Sequence, residues 1–187
     1  MNLYLFGGAF DPPHLGHNEI IKYFAQKADI LLISPSYFSP LKTKKPQVNY
    51  DHRRNMIKLM LESLSSDNTS IIDYEFENKF IYSIDTIRFL ETKYSGCNIN
   101  MIIGFDQYMN IELWKEYEYI IDNINLQVIK RPGIDDSMKK YSCQFIDDIS
   151  MDVSSTQIRY NIHNSSAIQS LLHKDVFEYI KDNKLYK

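Results

Sequence analysis

The sequence predicts an α/β protein, a doubly wound parallel sheet flanked by helices, in a single domain over residues 1–187 with a helical C-terminal part from about 154. Three observations predict it. Short β-type runs alternate with helical patterns. The β-type runs are apolar almost throughout, as strands buried on both faces are. A length of 187 residues suits one sizeable core.

The elements follow in order. Strands are predicted at Leu3–Phe6, Ile30–Ser34, Ser70–Tyr74, Ile99–Ile103, Leu126–Ile129 and Gln144–Ile146. Ile20, Ile21, Phe24, Ala25 and Ala28 keep helical spacing, which predicts a helix near 15–28. Met56, Ile57, Met60, Leu61 and Leu64 do the same for 51–64. A third helix spans 83–94, with Ser83 as its expected N-cap and Asp85 in its first turn. Short helices are expected near 156–162 and 175–183. Residues 35–49 hold three prolines and three lysines and read as a long loop, a type that often acts as a lid. In such a sheet, ligands sit beyond the carboxyl ends of the strands. The loop after Phe6, Gly104–Asp106 and Arg131–Gly133 belong at that edge.

Two segments ask for the same ligand. Residues 7–17 read Gly-Gly-Ala-Phe-Asp-Pro-Pro-His-Leu-Gly-His and pass from a strand into a helix. Gly7 and Gly8 let backbone approach a ligand, with Ala9 and Phe10 continuing the turn. Asp11-Pro12-Pro13 gives an extended, rigid path. His14 and His17 lie three apart and can face one anion. Beside a triphosphate their protonated forms are favoured. Residues 154–159 read Ser-Ser-Thr-Gln-Ile-Arg. Ser154, Ser155 and Thr156 offer hydrogen bonds at a helix start, and Arg159 one turn on can bridge two phosphates. Converging, the two segments would hold a nucleoside triphosphate. The plainer readings are a Gly-Pro turn with capping histidines and an N-cap cluster. A zinc site is disfavoured, since two histidines lack a third ligand. Asp106 suits ribose hydroxyls or a helix cap, and Arg131 by itself reads as a surface turn. Trp114 alone reads as core more readily than as a ligand platform.

The ordered motifs carry a resemblance. Residues 7–17 are similar to the (H/T)xGH signature of the nucleotidylyltransferase superfamily, and Val153–Arg159 is similar to its second signature, ISSTxIR. Arg53-x-x-Met56, Tyr82–Thr86, Ile102–Asp106 with Trp114, Lys130-Arg131-Pro132-Gly133 and the closing Tyr179-Ile180…Leu185-Tyr186 resemble one branch, the bacterial nicotinate-nucleotide adenylyltransferases. The resemblance implies a Rossmann-like fold that transfers AMP from ATP to nicotinate mononucleotide. His17, His14, Lys42 and Arg159 would act on the phosphates, and Mg²⁺ would arrive with ATP. ATP would be bound by Gly7, Gly8, Ala9, Phe10, His14, His17, Gly104, Asp106, Arg131, Ser154, Ser155, Thr156 and Arg159. Ser83, Tyr82, Trp114 and Lys115 would bind the mononucleotide, Trp114 by stacking on the pyridine. Three positions depart from the pattern: Ala9 for Thr or Ser, Leu41 for the loop histidine, and Lys115 for an aromatic. A pantetheine-phosphate or nicotinamide-mononucleotide adenylyltransferase, or an ATP-binding sensor without catalysis, stays open. A dehydrogenase is disfavoured, because the glycine pattern is not GxGxxG.

Composition sets the outer bounds. Hydrophobic residues make up 44% and charged ones 24%, ordinary for a soluble domain. A net charge of −3 argues against a general nucleic-acid binder. No run reaches the ~18 apolar residues of a membrane span. Cys97 and Cys143 lack a metal-type spacing, so a cytoplasmic chain with free thiols is expected. Homo-oligomerisation is left open.

Overall fold

A computed structural model describes the chain from Met1 to Lys187, apart from Ser39, residues 42–44, Ser65, residues 150–152 and the side chain of Ser165. Its six strands are β1 (Asn2–Gly8), β2 (Ile30–Pro35), β3 (Thr69–Ile71), β4 (Asn98–Gly104), β5 (Asn125–Ile129) and β6 (Gln144–Ile146). They form one sheet in the order β3-β2-β1-β4-β5-β6. Every pairing is parallel, with Leu5 opposite both Leu32 and Met101. The helices are α1 (Leu15–Ala25), α2 (Tyr50–Glu62), α3 (Tyr74–Asn78), α4 (Ser83–Lys93), α5 (Phe105–Met109), α6 (Tyr117–Asn123), α7 (Ser155–Tyr160), α8 (Ser165–Gln169) and α9 (Lys174–Asp182).

The strand sequences explain the two layers. Successive strand side chains point to opposite faces. Phe6, Leu31, Ile33 and Ile102 join one buried cluster, packed with Ile21 and Phe24 of α1, Met56 and Met60 of α2 and Phe177 of α9. Leu3, Leu5, Leu32, Met101 and Ile103 join the other, with Ile84 and Ile87 of α4, Tyr108 of α5 and Ile120 of α6. Both faces are therefore covered, and each fully buried Leu or Ile contributes about 1.5–3 kcal/mol.

Some expectations need adjusting. The strand predicted at Ser70–Tyr74 stops at Ile71, and Tyr74 opens α3 instead. Ser83 is the first helical residue of α4, and its N-cap is Tyr82. Ser154 caps α7 by accepting from the Gln157 N–H, and Asn49 caps α2 through the His52 N–H. Each of these caps satisfies a donor that the helix leaves unpaired.

Candidate active site

The crossover through α1 covers one face of the sheet, and the crossover through α6 covers the other. The reversal falls between the neighbours β1 and β4, so the crevice beyond their carboxyl ends is the switch point of the sheet. A crevice of about 980 Å³ lies there. That volume sits at the upper end of the ~300–1,000 Å³ usual for small-molecule sites. Gly7, Gly8, Ala9, Phe10, His14 and His17 from the first motif line it, as do Ser154, Ser155, Thr156 and Arg159 from the second. Gly104, Asp106 and Arg131 complete it from β4 and β5, and Leu41 reaches it from the long loop. Lys42, expected to act on phosphate, lies outside the described residues.

The first motif is built by burial. Phe10 holds φ at 48°, a left-handed backbone uncommon for a bulky residue. Its ring is buried 5.4 Å from Phe6 and 4.9 Å from His17, which keeps that turn in place. A Cβ on Gly8 would come within 3.2 Å of that ring. Gly16 is tighter. A Cβ there would meet Val153 Cγ1 at 2.9 Å and His14 Nδ1 at 3.1 Å, so the absent side chain lets the two motifs touch. Ser155 Oγ adds a donor to the Pro12 carbonyl over 2.8 Å.

The two histidines differ. The His14 N–H donates to His17 Nδ1 over 3.2 Å, which leaves the His17 proton on Nε2. His14 is buried, and its Nδ1 has no partner. Desolvation pulls its pKa down to about 4. In the ligand-free chain burial favours neutral His14, and two imidazolium rings 3.7 Å apart would repel.

Two buried charges went unrecognised in the sequence. Arg53 donates to the Ala9 carbonyl (2.7 Å) and the Ser36 carbonyl (2.9 Å), joining the first motif to the start of the long loop. Burial lowers its pKa, and Asp11 is the largest opposing influence. The Asp11 carboxylate accepts from the Gln47 N–H and from the Tyr186 hydroxyl. Arg159 Nη1 donates to the Asp11 carbonyl over 2.5 Å, and Nη2 donates to Thr156 Oγ1 over 3.2 Å.

At the mouth of the crevice Asp106 pairs with Arg131 at 2.5 Å, with both side chains largely exposed. Such a pair is worth only about 0–1 kcal/mol. A ligand hydroxyl can displace it at little cost.

The residues expected to hold the second substrate do not line this crevice. They gather elsewhere on the α4–α6 face. Tyr82 and Trp114 pack half-buried against the same core cluster. Lys115 Nζ lies 4.8 Å from the Tyr82 ring centre and 3.7 Å from Asp85 Oδ1. Tyr82 supplies no side-chain cap to α4, where Ser83 stands first. Lys115 offsets the Asp85 charge beside that helix start.

Among the described residues, no group of three or more His, Cys, Asp or Glu side chains gathers as a metal cage. No helix among them is long and apolar enough to cross a membrane.

Residues 5–161 match the family described as cytidylyltransferase-like. The chain is 33% identical over 187 residues to the probable nicotinate-nucleotide adenylyltransferase of Bacillus pumilus, covering 98% of this chain and 97% of that one. It is 32% identical over 191 residues to the protein of the same name in Endomicrobium trichonymphae, again covering 98% and 97%. Among solved structures, the Plasmodium falciparum nicotinic acid mononucleotide adenylyltransferase complexed with NaAD matches with a TM-score of 0.83 at 19% identity, covering 99% of this chain and 97% of that one. At that identity the likeness is one of fold.

Proposed function

Since the chain belongs to the cytidylyltransferase-like family, and within it to the nicotinate-nucleotide adenylyltransferases, we propose that it joins nicotinate mononucleotide to the AMP part of ATP, giving deamido-NAD and pyrophosphate. One observation carries this reading for the site. The two motifs, 137 residues apart between His17 and Ser154 (154 − 17), line one crevice at the switch point.

The acceptor phosphate has a second pKa of about 6, so near neutral pH it is already a nucleophile. No general base and no covalent intermediate are required. The protein's work is in-line positioning and stabilisation of charge on the α-phosphate and the leaving pyrophosphate. His17 serves the α-phosphate: its Nδ1 is taken by the His14 N–H, so Nε2 carries a proton to donate. His14, kept neutral by burial in the ligand-free chain, hydrogen-bonds the β and γ oxygens without adding charge. Arg159 and Lys42 neutralise the β and γ oxygens. The N–H groups of Gly8, Ala9 and the α7 start add partial positive charge.

Mg²⁺ comes with the nucleotide. The described residues offer no carboxylate cage, and this donor set fits an ion ligated mainly by phosphate and water. When bound, the ion neutralises phosphate charge. Trp114 stacks on the pyridine, and the uncapped start of α4 at Ser83 receives its carboxylate. Asp106 and Arg131 open to take the nucleoside. The setting is cytoplasmic.

The test is pyrophosphate release from ATP with nicotinate mononucleotide, compared with the nicotinamide form at one ATP concentration. A clear preference for the acid form is expected. Equal kcat/KM values, or a preference for the amide, would overturn the assignment of the acid form as the substrate.

A further inference from the structure

Asp11 has no phosphate to bind, yet three distant segments converge on it. Asp11 is 4% exposed. Oδ1 accepts from the Tyr186 hydroxyl at 2.9 Å and from the Val48 N–H at 3.4 Å. Oδ2 accepts from the Gln47 N–H at 2.8 Å and lies 3.7 Å from Arg159 Nη1. A buried carboxylate with fewer donors would be costly, so these partners fix its position. Arg159 is fixed in turn. Nη1 is held by the Asp11 carbonyl and Nη2 by Thr156, and a planar guanidinium gripped at two points has a set plane. Its ordering is then complete before any phosphate arrives, which removes an entropic cost from binding.

We propose that Asp11 and Tyr186 are positioning residues for the triphosphate half of the site: Tyr186, which follows α9, fixes the Asp11 carboxylate, and Asp11 orients Arg159 and anchors the Gln47–Val48 end of the long loop. This rests on the adenylyltransferase reading for its substrate. Tyr186 is suited to the task. It is itself buried, and burial together with the Asp11 charge raises its pKa, so the hydroxyl remains a donor at every working pH. Arg53 is the other cation near Asp11, and it is committed to the Ala9 and Ser36 carbonyls. Loss of the Tyr186 donor therefore falls on Arg159 and the loop.

The experiment uses the full chain and Tyr186→Phe, Arg159→Lys, the double variant, and Tyr179→Phe as a control. Tyr179 also bridges α9 to α2, through His52 Nδ1 at 2.9 Å and Asn55, but it does not touch Asp11. Each substrate is varied in turn, Tm is recorded, and ATP affinity is measured by calorimetry without the acceptor. Tyr186→Phe is expected to raise KM for ATP and weaken ATP binding roughly tenfold, about 1.4 kcal/mol, while KM for the mononucleotide stays within about twofold. Tyr179→Phe lowers Tm with no such split. In the double variant the Tyr186 effect shrinks, since the orientation of an absent guanidinium no longer matters. Unchanged ATP affinity in Tyr186→Phe overturns the proposal, and so do equal changes in both Michaelis constants or strictly additive effects. Absence of pyrophosphate release by the wild-type chain would instead defeat the adenylyltransferase reading, and the calorimetric comparison would still decide the positioning role.

Discussion

The rings of His14 and His17 lie 3.7 Å apart at an interplanar angle of 35°, and the His14 main-chain N–H donates to the His17 ring. One histidine thus sets the tautomer of the other. The consequence is a division of labour. His14 fixes, and His17 presents a proton at Nε2.

His17→Ala should lower kcat by about 10²–10³, the usual loss when a donor aimed at developing charge is removed, equivalent to ~2.7–4 kcal/mol. The measurement is steady-state turnover at saturating ATP and Mg²⁺, with Tm as the check on folding. A near wild-type rate would exclude the role.

Gly16→Ala should damage activity although it removes no phosphate-facing side chain, and its Cβ would also stand 3.1 Å from His14 Nδ1. The added Cβ would stand 2.9 Å from Val153, and relieving that contact pushes the second motif away from the first. Overpacking of this kind costs about 1–3 kcal/mol. Adding Val153→Ala should restore both Tm and rate. If the double variant is no better than the single one, the contact is not what joins the motifs.

Trp114→Ala should raise KM for the pyridine mononucleotide far more than KM for ATP. Stacking of a base-sized ring is worth ~1–3 kcal/mol. Equal effects on both constants, with a clear fall in Tm, would make Trp114 a packing residue only.

Glu75 gives a pH signature. It accepts from Ser34 Oγ at 3.1 Å and the Tyr37 N–H at 3.3 Å, and burial pushes its pKa up to about 7, against the hydrogen bonds and Arg53, which pull it down. The folded chain then holds a proton that the unfolded chain loses above the ordinary carboxylate value of 4.5. The stability this contributes is complete below that value and is lost as pH rises towards 7. His14 runs the other way: its pKa is lowered from 6.5 to about 4, so stability is lost as pH falls between those values. Denaturant unfolding of Glu75→Gln, followed from pH 4 to 8, should therefore gain on the wild type as pH rises. A constant difference across that range would show that Glu75 does not titrate there.

The sheet was legible because it is buried on both faces. Leu3–Phe6 is a continuous apolar run, Ile99–Ile103 is broken only by Asn100, and α1 and α2 carry full apolar stripes. The two motifs that line the crevice were legible as local patterns, each complete within about a dozen residues. Short helices were not. α3 buries no residue and so leaves no stripe to read, and α5 starts inside the apolar run that ends β4. Asp11 was read only as part of a stiff Asp-Pro-Pro path. Its partners Gln47, Arg159 and Tyr186 lie 36, 148 and 175 positions away, beyond any periodic pattern. Glu75 was hidden for the same reason, since Ser34 is 41 positions from it.

The contact between Tyr186 and Asp11 also makes the C-terminal segment part of the wall of the fold. It joins positions 175 apart, and Tyr186 shares its buried cluster with Phe6 and Phe10 of the first motif and with Phe177 of α9. A local opening that frays the end of α9 would therefore uncover Asp11 and loosen the first motif in the same event.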